Sequence, residues 1–176
     1  MVKCRILSHL PFQTMPHISV IELHKENMKF SAGHFTIFSK THREKMHGHN
    51  YTVYCALETR VSDHGLSFDY RYYKTKIYEI CKKLNECFLL AGHSPYLRFE
   101  EEDDHYWIYF HTEKLFFNKR DVVVLPITNI TVEELSKWFI QQLTLNTEEL
   151  TQHGIQKITV KIASSPGQSG SATWVY

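Results

Sequence analysis

The runs FSAGH (residues 30–34) and HGHNY (residues 47–51) decide how this chain is read. In a strand, side chains alternate faces, so Met28, Phe30, Ala32 and His34 share one side, and so do His47 and His49. If the two runs pair as antiparallel strands across residues 35–46, three imidazoles converge on one face near the open end of the hairpin. Gly48 leaves the opposite face uncrowded. Three histidine ligands leave the fourth tetrahedral position free, as a catalytic rather than a closed structural zinc site requires. The other reading makes His34 a core residue and His47 and His49 turn residues beside a glycine. The spacing is not that of HExxH, whose ligands stand four apart on a helix.

Outward from this pair, residues 18–32 and 50–61 are rich in β-branched, aromatic and alternating residues and predict two long strands. Asp69 can cap a helix with the apolar stripe Tyr73, Ile77, Ile80, Cys81 and Leu84, ending within residues 85–90. The acidic run 100–104 reads as a solvated turn. Residues 106–110 and 115–117 read as a hairpin turning at 111–114. Thr131 followed by Glu134 is a capping box, opening a helix whose buried face is Leu135, Trp138, Phe139 and Leu143. A further strand covers 156–163, and SSPGQSGS after it reads as a tight loop.

The chain has 176 residues, 43% of them hydrophobic, with a formal net charge of +1. That suits one domain, 1–176, with residues 1–16 as a loosely ordered N-terminal extension. Near-neutral charge gives no reason to expect nucleic acid or an anionic membrane as partner. No apolar run reaches the length of a membrane span, and no small-residue cleavage site follows MVKCRILSHLPF, so a cytoplasmic enzyme is expected. Cys4, Cys55, Cys81 and Cys87 form no CxxC pair; Cys55 and Cys81 read as buried thiols.

FSAGH, HGHNYTV, GLSFDY and LPITNITVEEL together resemble the 6-pyruvoyltetrahydropterin and 6-carboxytetrahydropterin synthase family, across about residues 28–143. The resemblance implies an α+β fold: an antiparallel β-sheet with two helices on one face, oligomerising into a barrel. It implies a homo-oligomer, hexameric or trimer-based, with active sites at subunit interfaces. It also implies Zn2+ held by His34, His47 and His49, and a pterin such as 7,8-dihydroneopterin triphosphate as substrate.

The family's working residues match unevenly. Where the synthases carry a cysteine base, four residues before HGH, this chain has Arg43. Glu44 follows, giving Glu-x-x-His-Gly-His, similar to a variant subgroup in which glutamate replaces the cysteine and the product is 6-hydroxymethyl-7,8-dihydropterin. Glu44 also reads as one more solvated loop charge. In place of a family aspartate and histidine stand Asn85, which cannot ionise, and Glu86. Glu86 reads as a proton carrier or as an exposed helix-end charge; His93, in AGHSPYL, is a substitute carrier or a loop residue. A family glutamate that anchors the pterin edge aligns with Ser164, which offers a single, weaker contact. Thr131 matches a pterin-contacting threonine and is also the helix cap. Lys40, His42, Arg43 and Lys45, with a backbone nest across 165–171, are compatible with a triphosphate. The alternative function is a zinc-binding, non-catalytic member of the fold that holds another small ligand.

Overall fold

In the computed structural model the described residues are 17–176. The expected N-terminal extension, 1–16, and Cys4 lie outside them.

The spine is β5 (His47–Val61), fifteen residues that include HGHNY itself. Its burial alternates strictly from Tyr51 through Val53, Cys55 and Leu57, the pattern of a strand with one face on a core. The long strand predicted at 18–32 is two strands, β1 (His17–Leu23) and β2 (Lys29–His34), broken by a turn at 24–28. Both pair antiparallel with β5, β2 along residues 47–52 and β1 along 55–61. β3 (Ile37–Ser39) and β4 (His42–Arg43) form a small ribbon between β2 and β5.

α1 (Arg71–Leu84) follows, with Asp69 accepting the Arg71 amide at 3.0 Å and the predicted stripe fully buried. The helix stops at Leu84, and β6 (Cys87–Ala91) runs where the helix end was expected. β7 (Leu97–Glu102), β8 (His105–Phe110) and β9 (Glu113–Asn118) form a separate three-stranded sheet. Three glutamates of the acidic run therefore lie in β7 and only Asp103 and Asp104 turn. β10 (Val122–Leu125) precedes α2 (Val132–Leu143), α3 (Thr147–Gln152), β11 (Ile155–Ser165) and β12 (Gln168–Val175).

The main sheet runs β10-β6-β2-β5-β11-β12, with β1 further along β5. It is mixed rather than wholly antiparallel, since β6 lies parallel to both β2 and β10. α1 and α2 cover one face, burying Tyr73, Ile77, Leu135 and Phe139 against Phe30, Tyr51 and Leu57. Burying each such side chain contributes about 1.5–3 kcal/mol. A second cluster, Phe35, Ile37, Leu90, Ile108, Phe110 and Val122, seats the small sheet beside the histidine strands. Gly33 lets Phe88 lie flat on β2: a Cβ there would stand 2.6 Å from the ring. Cys55 and Cys81 are buried free thiols, as expected.

Candidate functional site

Pairing of β2 with β5 sets His34 opposite His47 and Ala32 opposite His49. One potential ligand nitrogen from each of the three imidazoles lies within 4.8 Å of the others. His34 is buried, His49 half-buried and His47 exposed, so the cluster opens to one side. His34 Nδ1 donates to the Ile130 carbonyl at 3.1 Å, and His47 Nδ1 to the Lys45 carbonyl at 2.8 Å. A carbonyl only accepts, so each bond fixes the proton on Nδ1 and leaves a lone pair on Nε2. His47 Nε2 lies 3.1 Å from His49 Nε2, and His34 Nε2 is buried without a hydrogen-bond partner among the described residues. A buried nitrogen left unpartnered beside two others is costly, and three neutral nitrogen donors this close fit a metal ion.

The electrostatics favour the neutral ligands a metal needs. His34 is pushed down to about 4, by burial first and then by the positive charges His47 and His49 would carry. His49 is lowered too, again by burial and then by His47.

Glu44 stands between β4 and β5 and is held at both ends by Thr36. Its amide donates to the Thr36 carbonyl at 2.8 Å, and its Oε2 accepts the Thr36 amide at 3.0 Å. The same oxygen lies 3.9 Å from His47 Nε2. Burial works to raise its pKa, but the bonds from Thr36 and the charges of His47 and His34 outweigh it, so the carboxyl sits below its ordinary value. It is ionised at neutral pH and able to accept a proton.

A pocket of about 250 Å³ gathers His34, Glu44, His47, His49, Thr131 and Ser164. Thr131 caps α2, its Oγ1 accepting the Glu134 amide at 3.3 Å. Only half of the predicted capping box forms, because the Glu134 carboxylate turns instead to the Thr128 amide and hydroxyl. Ser164 sits at a bulge in β11, 6% exposed, with its hydroxyl unpartnered among the described residues. Tyr51, Glu133 and Gln168 also line the pocket and were not singled out from the sequence. Tyr51 was within reach, being the next same-face residue after His47 and His49; burial and then Glu44 push its hydroxyl pKa up.

Glu86 and His93 do not line this pocket. Glu86 borders a cleft with Gly33, Gly48 and Phe88, adopts φ 61° and donates its amide to the Ser31 carbonyl at 2.7 Å. Asn85 Oδ1 accepts the Ser31 amide at 2.9 Å, so the Asn85–Glu86 step clasps β2 where β6 joins it. His93 is exposed in the loop after β6. The expected anion nest at 165–171 is instead a hairpin, with Ser165 paired to Gln168 and only Pro166 and Gly167 turning. Arg43 is committed to Glu113 rather than free for a phosphate. A larger cleft, about 500 Å³, opens beside Tyr54 and Lys161, whose side chains alternate away from the histidine face. The three-imidazole cluster lies in the smaller pocket.

The sheet, its helices and the triple-imidazole pocket define a class, an α+β domain built around a metal-competent site. The family model described as 6-pyruvoyl tetrahydropterin synthase matches residues 22–173, and the chain belongs to that family. A protein of Methanocaldococcus jannaschii, provisionally named 6-carboxy-5,6,7,8-tetrahydropterin synthase, is 26% identical over 142 residues, 80% of this chain and 86% of its own length. The structure of Plasmodium falciparum 6-pyruvoyl tetrahydropterin synthase superposes with a TM-score of 0.85 at 26% identity, covering 90% of this chain and 99% of that one. A Plasmodium vivax 6-pyruvoyltetrahydropterin synthase in which alanine replaces a glutamate described as the catalytic residue also gives 0.85, at 27% identity over 91% and 99%. Among the described residues no helix is long and apolar enough to cross a membrane.

Proposed function

We propose that this chain is a zinc-dependent lyase acting on the side chain of 7,8-dihydroneopterin triphosphate or a related pterin. The observation that carries this reading is the Glu44 carboxylate, 3.9 Å from His47 Nε2 in the pocket of the three imidazoles. The glutamate called catalytic in the Plasmodium vivax relative supports the role.

His34, His47 and His49 would hold the zinc. When bound, zinc supplies Lewis acidity that lowers the pKa of side-chain hydroxyls on the substrate. Glu44 accepts the proton released as the side chain is cleaved or rearranged, and its low pKa keeps it ionised for that step. The pterin edge meets Thr131 and Ser164, and Glu133, at the same pocket, is the carboxylate able to take two parallel hydrogen bonds from it. Glu86 and His93, off the pocket within one chain, act as partner acids only if a neighbouring copy supplies them. That fits a homo-oligomer with interface active sites, and β1 and β12 leave sheet edges with Ile18, Val20 and Val175 exposed to build it.

Incubating the zinc-loaded protein with 7,8-dihydroneopterin triphosphate and identifying the product tests the reading. A 6-hydroxymethyl, 6-pyruvoyl or 6-carboxy product supports it and names the reaction; unchanged substrate with stoichiometric zinc refutes it. The second reading, a zinc-retaining protein that binds another small ligand without turnover, is favoured by Ser164 standing where a carboxylate is expected. Absence of pterin binding in a titration of the zinc-loaded protein would support it.

A further inference from the structure

Arg43 occupies the position where the family resemblance places a cysteine, and the structure gives it a full set of contacts. Its side chain is 12% exposed. Nη1 donates to the Glu44 carbonyl at 2.7 Å, Nε donates to Glu113 Oε2 at 3.1 Å, and Nη2 completes an ion pair with that oxygen. The guanidinium carbon lies 4.8 Å from the centre of the Phe35 ring. A planar fork with five donors can meet a carbonyl, a carboxylate and an aromatic face together; an ammonium cannot.

We propose that Arg43 and Glu113 brace Glu44 in the pocket, making Arg43 a positioning residue for the reaction. The inference rests on Glu44 being the proton carrier. The Glu44 amide is bound to Thr36 and its carbonyl to Arg43, so both of its peptide links are restrained. With the backbone held on two sides, the carboxylate stays on the Thr36 amide beside His47. Glu113 opens β9, and the small sheet is itself seated on Phe35 through Ile108 and Phe110. The three-stranded sheet therefore has a task beyond covering apolar surface: it anchors the far end of the brace.

The experiment compares Arg43→Ala, Arg43→Lys and Glu113→Gln with Glu44→Gln in the zinc-loaded full chain, measuring kcat, KM and bound zinc on 7,8-dihydroneopterin triphosphate. Misplacing a reacting group by about 1 Å costs about a hundredfold, so Arg43→Ala is expected to lose that much in kcat. KM and zinc content stay unchanged. Guanidinium at a non-denaturing concentration restores part of the rate, and Arg43→Lys does not. A merely structural contact would lose zinc and rate together and show no rescue, which overturns the proposal. If Arg43→Ala does not fold, Glu113→Gln decides, since Glu113 is exposed: lowered kcat with full zinc supports the brace and unaltered kcat overturns it. Wild-type kcat in Arg43→Ala with an inactive Glu44→Gln removes the brace and leaves the role of Glu44 intact. Wild-type kcat in Glu44→Gln removes the reading beneath it.

Discussion

His34 Nδ1 and the carbonyl of Ile130 lie 3.1 Å apart, joining a β2 side chain to the residue just before the cap of α2. Asn129 sets that carbonyl in place. Its Oδ1 accepts the amides of Ile37 and Ile130, each at 3.0 Å, and its Nδ2 donates to the Ile37 carbonyl at 2.8 Å. Asn129→Ala is expected to weaken zinc binding by about 10–100-fold, the usual effect of losing an outer-shell partner. Competition against a chromophoric chelator measures it; an affinity equal to wild type sinks the idea.

His47 is an exposed imidazole with little packing to lose, so if it holds the proposed zinc, His47→Ala should fold normally and carry no stoichiometric zinc. Elemental analysis of the purified variant is the check. Full zinc occupancy would remove His47 from the ligand set.

Glu44→Gln keeps an oxygen for the Thr36 amide and removes only the capacity to take a proton. Loss of a general base lowers kcat by about 10²–10⁴-fold, and zinc content should not change. Zinc loss alongside activity would instead make Glu44 a support of the metal site.

Metal-free protein should lose stability as pH falls. The folded pKa of His34, about 4, lies below its ordinary 6.5, so the unfolded chain takes up the proton first. The contribution is complete above about 6.5 and is lost as pH falls toward 4, in total about 3 kcal/mol for a buried group shifted this far. Urea unfolding across that window measures the slope, and His34→Gln should flatten it. An equally pH-independent wild type and variant would contradict the prediction.

The parts legible in the sequence are those where one face meets the core. Alternation through Met28, Phe30, Ala32 and His34, and through His47 and His49, is enough to put the three imidazoles on one face of paired strands. The stripe of α1 was equally plain. Cys87–Ala91 was not, because a short continuous apolar run reads equally as a helix end or a buried parallel strand. The acidic run concealed β7, since Glu100 and Glu102 project from the outer side of a strand whose Leu97 and Phe99 face inward. The pairing of Arg43 with Glu113, seventy positions apart, depends on where the small sheet docks, which local pattern does not encode. Glu86 and His93 lie off the pocket of their own chain, since the turn after α1 sets Glu86 beside Gly33 and Phe88 and His93 falls in the loop after β6, placements that local pattern does not encode either.

Ser164 offers the last test, because folding and binding pull its hydroxyl in opposite directions. Among the described residues the oxygen is buried without a partner, so Ser164→Ala removes an unsatisfied polar group and should stabilise the free protein, by about 1 kcal/mol. If the pterin edge bonds to that oxygen, the same change removes one neutral hydrogen bond from the complex, also about 1 kcal/mol, and weakens pterin binding about fivefold. Thermal unfolding and pterin titration of one variant therefore move in opposite senses. A stabilised protein with unchanged pterin affinity would place the pterin edge away from Ser164 and leave Glu133 as its anchor.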